Sequence, residues 1–463
     1  MHVNPTLKRT LGLSTATLLV MSSMIGSGVF KKVAPMSTVL GDSNLVLLAW
    51  LAAGLVTVMG TLTYAGLASL TEEAGGQYEY LRIIFGKFFS YLLGWACFAV
   101  IQTASIASIA FVFAESVNNL LPMPAFTEQW ANISIAGFIF PFANSGVKLL
   151  AILTIIILTY INYRGVKEGG LLNDIFSWAK ILGILILIIL GLSYTSTTPL
   201  AHHAATYVPL TFNQILAPFF LAMLGAFWAY DGWVNVTYIT GEIKNPKRNV
   251  PIAIIAGTIL VMLLYLLVNV AYFRVLTVDE FSAIDAAGNQ IAGVEVAKKI
   301  MGNSGNILIS VLIMVCTFGA TNASLMSSPR IYYRMANAGV FFPAAAKIHP
   351  EFKTPHVALL MQMIWAIALV MSGTFDQLTD MLIFAAFIFY GSAALGLIMM
   401  KRKKLITVKV FGYPYIPMIY FLFCVGLVVN TLITMPKESI TGLLLIATGI
   451  PLYFYFNRKK LLP

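Results

Sequence analysis

The chain alternates long apolar stretches with short polar links, and each stretch is long enough to cross a bilayer. About 20 apolar residues make a spanning helix. The stretches fall at about 11–40, 45–70, 88–118, 147–163, 168–195, 214–240, 250–274, 303–336, 355–374, 376–400, 414–434 and 438–456. The expected fold is an all-α membrane protein with twelve transmembrane helices. Two stretches are interrupted where a helix should run on. The first holds Met24-Ile25-Gly26-Ser27-Gly28-Val29-Phe30, and the sixth holds Trp228-Ala229-Tyr230-Asp231-Gly232. Each glycine inside a helix costs about 1 kcal/mol relative to alanine. Backbone groups freed at such a break have no partner in lipid, so the break is expected to line a polar cavity or meet a ligand. Interrupted helices at corresponding places in two halves mark a binding site.

Composition agrees with the pattern. Of 463 residues, 59% are hydrophobic and 10% charged, against about 25% charged in soluble domains. A net charge of +11 would suggest nucleic acid in a soluble protein. Here it comes from basic links such as Lys244 to Arg248 and Lys401 to Lys404, so no nucleic-acid partner is expected. Placing those links and Arg458, Lys459 and Lys460 inside puts both termini in the cytoplasm of a multi-pass cell-membrane protein. Lys31, Lys32, Lys148, Arg274, Lys298, Lys299 and Lys437 fall outside, and Lys180 falls within a span. Lys8 and Arg9 lead straight into the first stretch, without the pattern of a cleavable signal. Cys97, Cys316 and Cys424 lie in apolar runs and read as packing residues. The histidines sit in tails and loops, so no metal or cofactor is expected. No nucleophile, base or ligand set converges at one depth, so the chain does not read as an enzyme.

The plan repeats. Residues 1–10 form a tail, 11–200 a first group of five spans, 211–404 a second group of five, 411–456 two further spans, and 457–463 a tail. Each group opens with a glycine-interrupted span, and an odd number of spans per group makes the repeat inverted. The acidic link Thr71-Glu72-Glu73-Ala74-Gly75-Gly76-Gln77-Tyr78 precedes a short interfacial run at 80–85. The link from about 276 to 302 has an amphipathic helical pattern at 294–300, either a lid or an interfacial helix. Pro246 and Pro251 are expected to separate spans six and seven.

The breaks suggest a chemistry. Amide N–H groups of Ser27, Gly28 and Val29 at the start of a half-helix make a site for a carboxylate. Carbonyls at Met24 and Ile25, where the preceding half-helix ends, suit an ammonium, and carbonyls of Phe227, Trp228 and Ala229 add to them. A ligand bearing both charges is an α-amino acid. Gly26-Ser27-Gly28 also reads as a small-residue helix contact, and Trp228 either gates the ligand or packs. Asp231, at mid-membrane depth, contacts a cationic side chain, takes up a proton, pairs with Lys180 or caps a half-helix. Lys180 replaces a bound cation between span one and the hydroxyls of span eight, exchanges a proton, or snorkels. Ser324 is its preferred partner in span eight.

These residues carry a resemblance. The chain resembles the amino acid–polyamine–organocation superfamily, and within it the L-type amino acid transporter (light-subunit) family and its bacterial relatives. The matching motifs are Ile25-Gly26-Ser27-Gly28-Val29-Phe30, Gly75-Gly76-x-Tyr78, Ala229-Tyr230-Asp231-Gly232-Trp233, Glu242-x-x-Asn245-Pro246 and Phe318-Gly319-x-x-Asn322-Ala323-Ser324 with Arg330. Ala338-Gly339, Ile348-His349-Pro350, Thr354-Pro355 and Gly449-Ile450-Pro451-Leu452-Tyr453 complete the series. The resemblance implies the leucine-transporter fold, a 5+5 inverted repeat with two additional helices, and sodium-independent exchange of amino acids by alternating access. It places Ile25, Gly26, Ser27, Gly28, Phe227, Trp228, Ala229, Asp231, Phe389 and Tyr390 at the substrate, with Trp228 as gate and Lys180 and Ser324 in the region of the sodium site. Asp231 departs from members that favour large neutral amino acids and leans toward tolerance of cationic ones. With all cysteines inside spans, no disulfide-linked heavy subunit is expected. The alternatives are a proton-coupled symporter and, in another class, a non-transporting amino acid sensor.

Overall fold

The computed structural model describes residues 9–133, 141–195, 211–288, 290–372 and 375–458. His2, Lys8, His202, His203, Lys459 and Lys460 lie outside the described residues. The first apolar stretch is α1 (Leu13–Met24), α2 (Gly28–Lys31) and α3 (Val33–Leu40), followed by α4 (Ser43–Leu67). Then come α5 (Gln77–Ala96), a π-helical turn at Cys97–Ile101, α6 (Gln102–Leu120), the short α7 (Glu128–Ala131), α8 (Ser145–Arg164) and α9 (Val166–Ser193). The middle of the chain forms α10 (Phe212–Tyr230), α11 (Asn235–Tyr238), α12 (Pro246–Phe273), α13 (Val278–Ala287) and α14 (Ala292–Met301). The rest forms α15 (Asn303–Ser327), α16 (Pro329–Asn337), α17 (His356–Ser372), α18 (Phe375–Arg402), α19 (Tyr415–Thr434), α20 (Pro436–Ala447) and α21 (Gly449–Arg458).

Ten of these helical runs are long and apolar enough to cross a membrane. Two shorter apolar helices, Gln214–Tyr230 and His356–Met371, stand where the sixth and ninth spans are expected. Large exposed side chains recur at helical spacing, as with Leu48, Leu51 and Leu55 on α4 and Leu149, Leu153, Ile156 and Tyr160 on α8. Such stripes face lipid, because a soluble domain rarely exposes apolar patches of that extent.

Local signals set several boundaries. Asp42 caps α4 by accepting from the amides of Asn44 (2.7 Å) and Leu45 (2.9 Å). Gly86, with φ of +84°, parts the first turns of α5 from its long run, which separates the interfacial piece expected at 80–85. Pro246 opens α12, but Pro251 lies inside it rather than ending it. The segment between α12 and α15 forms two helices. α14 covers the amphipathic 294–300 pattern, and α13 is opened by a capping box between Thr277 and Glu280.

The two interrupted runs pack side by side. α1 lies against α9, α12 and α15, and α2 and α3 lie against α10. At the face where Arg9 to Leu11 enters the fold, polar contacts seal the bundle. The amides of Thr10 and Leu11 donate to the Glu242 carbonyl, and Lys244 returns a bond to the Leu11 carbonyl. Beneath them the buried Arg330 guanidinium pairs with Glu242 at 2.8 Å and also donates to the Met326 carbonyl. Arg9 and Lys247 flank Glu72, and Arg334 bridges Glu73 and Glu79. The Arg9 hydrogen bond holds the Glu72 carboxyl below its usual range. Cys97, Cys316 and Cys424 are buried and free.

Candidate functional site

α1 ends at Met24, and the chain turns at Ile25 to Ser27 before α2 begins. The Gly26 amide folds back onto the Met24 carbonyl at 2.9 Å. The amides of Ser27, Gly28 and Val29 have no acceptor among the described residues, and the buried Ser27 hydroxyl has no partner either. Buried polar groups are normally paired, so this cluster of donors points to a missing acceptor.

The second break falls at the end of the Trp228–Gly232 stretch expected for it. α10 stays helical through Tyr230, and the chain leaves the helix at Asp231, with Gly232 at φ of +101°. The last turn is held by the Tyr230 hydroxyl, which donates to the Trp50 carbonyl, and by ring contacts with Trp50 and Tyr265. The glycines permit the two breaks to meet. A β-carbon on Gly28 would stand 2.6 Å from Ala229, and one on Gly232 would stand 2.6 Å from the Ser23 carbonyl oxygen.

Lys180 is fully buried. Its ammonium donates to the Ser22 carbonyl (2.8 Å), the Ser22 hydroxyl (3.1 Å) and the Ile25 carbonyl (2.9 Å). It therefore does not snorkel, and it does not pair with Asp231. Nor does it reach Ser324. Its stem packs against Gly319 of α15, and the Ser22 hydroxyl links onward to the Gly319 carbonyl at 3.4 Å. Ser324 lies five residues beyond Gly319, about 7.5 Å along the helix.

Tyr265 of α12 does what the sequence did not suggest. Its hydroxyl donates to the Met24 carbonyl at 2.8 Å and lies 3.2 Å from the Ala229 carbonyl, tying the two breaks together. Lys180 and Tyr265 thus occupy the Ile25, Met24 and Ala229 carbonyls that were candidates for an ammonium. The Ser23 and Phe227 carbonyls remain as acceptors, having lost the helical partners four residues on. Ser27 leaves its amide free, and Asp231 donates to Trp228.

A small cavity lies between the breaks. Ser23, Ser27 and Gly28 line it from one side, Trp228, Asp231 and Asn235 from the other, and Ser105, Ile109 and Ser324 close it. Its free volume, about 10 Å³, holds about one water, so the site is closed and anything larger enters only when its walls move. Trp228 belongs to that wall. Away from the Arg330–Glu242 face, a vestibule of about 340 Å³ opens beside Met36, Leu221, Gly225 and Asp285.

The Tyr390 hydroxyl donates to Asp231 at 2.8 Å. No basic side chain pairs with Asp231 among the described residues. Phe389 is turned away and packs on Phe89. Phe387 takes its place, with its ring 4.7 Å from Phe227 and 5.6 Å from Tyr390. One residue along a helix is a rotation of about 100°, which separates 389 from the 387 and 390 face. Sequence reasoning also missed Gln102, which follows the π-helical turn and donates to Asn235 at 3.2 Å. A carboxamide in an apolar span was the available signal. The carbonyls loosened by that turn bond Tyr332 and Trp365, as π-bulges at functional sites tend to do.

Residues 11–456 match the amino acid permease family. The chain is 28% identical to the serine/threonine exchanger SteT of Bacillus subtilis (strain 168), over 98% of both chains. It is 31% identical to the human b(0,+)-type amino acid transporter 1, covering 98% of this chain and 89% of the relative. It is 30% identical to the human large neutral amino acids transporter small subunit 2, covering 98% of this chain and 82% of the relative.

Proposed function

The chain belongs to the amino acid permease family, within the amino acid–polyamine–organocation superfamily, and on that premise we propose that it is a sodium-independent exchanger of L-amino acids. The observation that carries this reading is the pair of opposed unbonded groups at the breaks. The Ser27, Gly28 and Val29 amides receive the carboxylate, and the Ser23 and Phe227 carbonyls receive the ammonium. Lys180 stands where a cation would otherwise hold the end of α1, which removes the need for sodium. Twelve spans, five and five in inverted repeat plus two, rock about the site with both termini in the cytoplasm of the cell membrane. The sealed Arg330–Glu242 face is then the cytoplasmic one. The chain works without a disulfide-linked heavy subunit. Asp231, paired with a phenol rather than a cation, admits cationic as well as neutral substrates.

The test is counterflow in proteoliposomes made with the purified chain. External amino acid should accelerate efflux of preloaded labelled substrate without sodium. Proton symport is the second reading, favoured by Asp231 and Lys180 as ionisable groups outside any ion pair. It predicts accumulation in empty vesicles under an inward proton gradient, lost in Lys180→Ala or Asp231→Asn.

A further inference from the structure

The cavity wall built by α6, α11 and α15 differs in character from the carboxylate and ammonium ends. It presents the Ser105 hydroxyl, the Asn235 carboxamide and the Ser324 hydroxyl, with Ile109 as its aliphatic component. Asn235 is 2% exposed and Gln102 3%. The Gln102 amide donates to the Asn235 oxygen, which leaves the Asn235 nitrogen for the cavity. The Gln102 oxygen is buried without a partner. Reversing both amides leaves the cavity an Asn235 oxygen instead, so either arrangement offers it one hydrogen-bonding atom from a tethered amide.

Resting on the exchanger reading, we infer that this wall is the side-chain subsite and that among neutral amino acids it selects short side chains bearing a hydroxyl or a carboxamide. A hydroxyl both donates and accepts, and a carboxamide has an atom of each kind, so both satisfy the Asn235 amide in either orientation. A branched aliphatic side chain would cover Asn235, Ser105 and Ser324 and leave them unpaired. A site built to bond a hydroxyl rejects the analogue lacking it far more strongly than an apolar pocket rejects an added hydroxyl.

Threonine and valine are the discriminating pair, being alike in shape and different in one hydroxyl. In proteoliposomes loaded with unlabelled alanine, the full chain should take up labelled threonine at least about tenfold more efficiently than valine. Serine and asparagine should rank with threonine, and leucine with valine. Asn235→Leu should bring the threonine-to-valine ratio to about one. Gln102→Leu, which acts only by releasing Asn235, should lower the ratio by a smaller factor and raise KM for threonine more than it lowers kcat. Should either variant fail to fold, thermal shift of the wild-type protein gives the same comparison, with threonine raising Tm and valine not. Alanine exchange with valine taken up as well as threonine overturns the inference and leaves the exchanger reading standing. So does an unchanged ratio in both folded variants. Failure of alanine itself to exchange overturns the exchanger reading and this inference together.

Discussion

Gly232 lies against Ser23 so closely that no side chain fits between them, as a β-carbon there would be 2.6 Å from the Ser23 carbonyl oxygen. Gly28 stands in the same relation to Ala229 on the other side of the site. The two breaks are thus held together backbone against backbone, each through its own glycine. Alanine at Gly28 or Gly232 should abolish transport, and at Gly232 the left-handed φ adds strain. Alanine at Gly26 meets Ala320 at 3.7 Å and the Met24 carbonyl oxygen at 4.0 Å, both ordinary contacts, and should leave the thermal stability of the purified protein within a few degrees of wild type. Thermal unfolding and flux, measured on all three variants, check the contrast.

Lys180→Met keeps the stem and removes the charge. It leaves the Ser22 and Ile25 carbonyls buried without a donor, at about 1–3 kcal/mol for each group. The expected outcome is a lower Tm and loss of exchange, whereas Ser324→Ala should leave Tm near that of the wild type, since that hydroxyl does not contact the lysine. The paired Tm and flux values of the two variants separate the roles.

Asp231→Asn preserves size and can still accept from Tyr390. Loss of the negative charge should reduce competition by lysine and arginine at least about tenfold, with a smaller effect on neutral amino acids. An unchanged inhibition pattern would remove Asp231 from cation recognition. Tyr390→Phe should have a smaller effect on the same panel, because it leaves the carboxylate in place.

Arg330 and Glu242 are both buried. Removing one partner of such a pair costs about 3–5 kcal/mol, while replacing both by apolar residues is often neutral. Arg330→Met should therefore lower Tm sharply, and the double variant Arg330→Met with Glu242→Met should recover most of it. The double variant should also loosen the seal at that face, read as faster labelling of a cysteine placed at Ser23.

Much of this site was legible in the sequence because it is local. Two glycines around a serine announce a broken helix, and a lone lysine in an apolar span announces a partner nearby. What was not legible depends on distant chain. Within the expected stretch the break starts only at Asp231, because Trp50 and Tyr265, far away in sequence, hold the turn that ends at Tyr230. The free carbonyls at the breaks narrowed to Ser23 and Phe227 because Tyr265, Lys180 and the Asp231 amide had taken the others. Phe387 rather than Phe389 packs with Phe227 and Tyr390, because helix phase within a uniformly apolar run cannot be read from composition. Lys180 meets α15 at Gly319 because the absence of a side chain there admits its stem, which no hydroxyl count along span eight would reveal.

Counterflow in proteoliposomes tests the central claim most directly. Vesicles preloaded with labelled alanine, in sodium-free buffer and with no proton gradient, should release it rapidly when external alanine is added and retain it when none is. Release at the same rate with and without external amino acid, or uptake only under a sodium or proton gradient, would contradict an exchanger in which Lys180 stands for the cation.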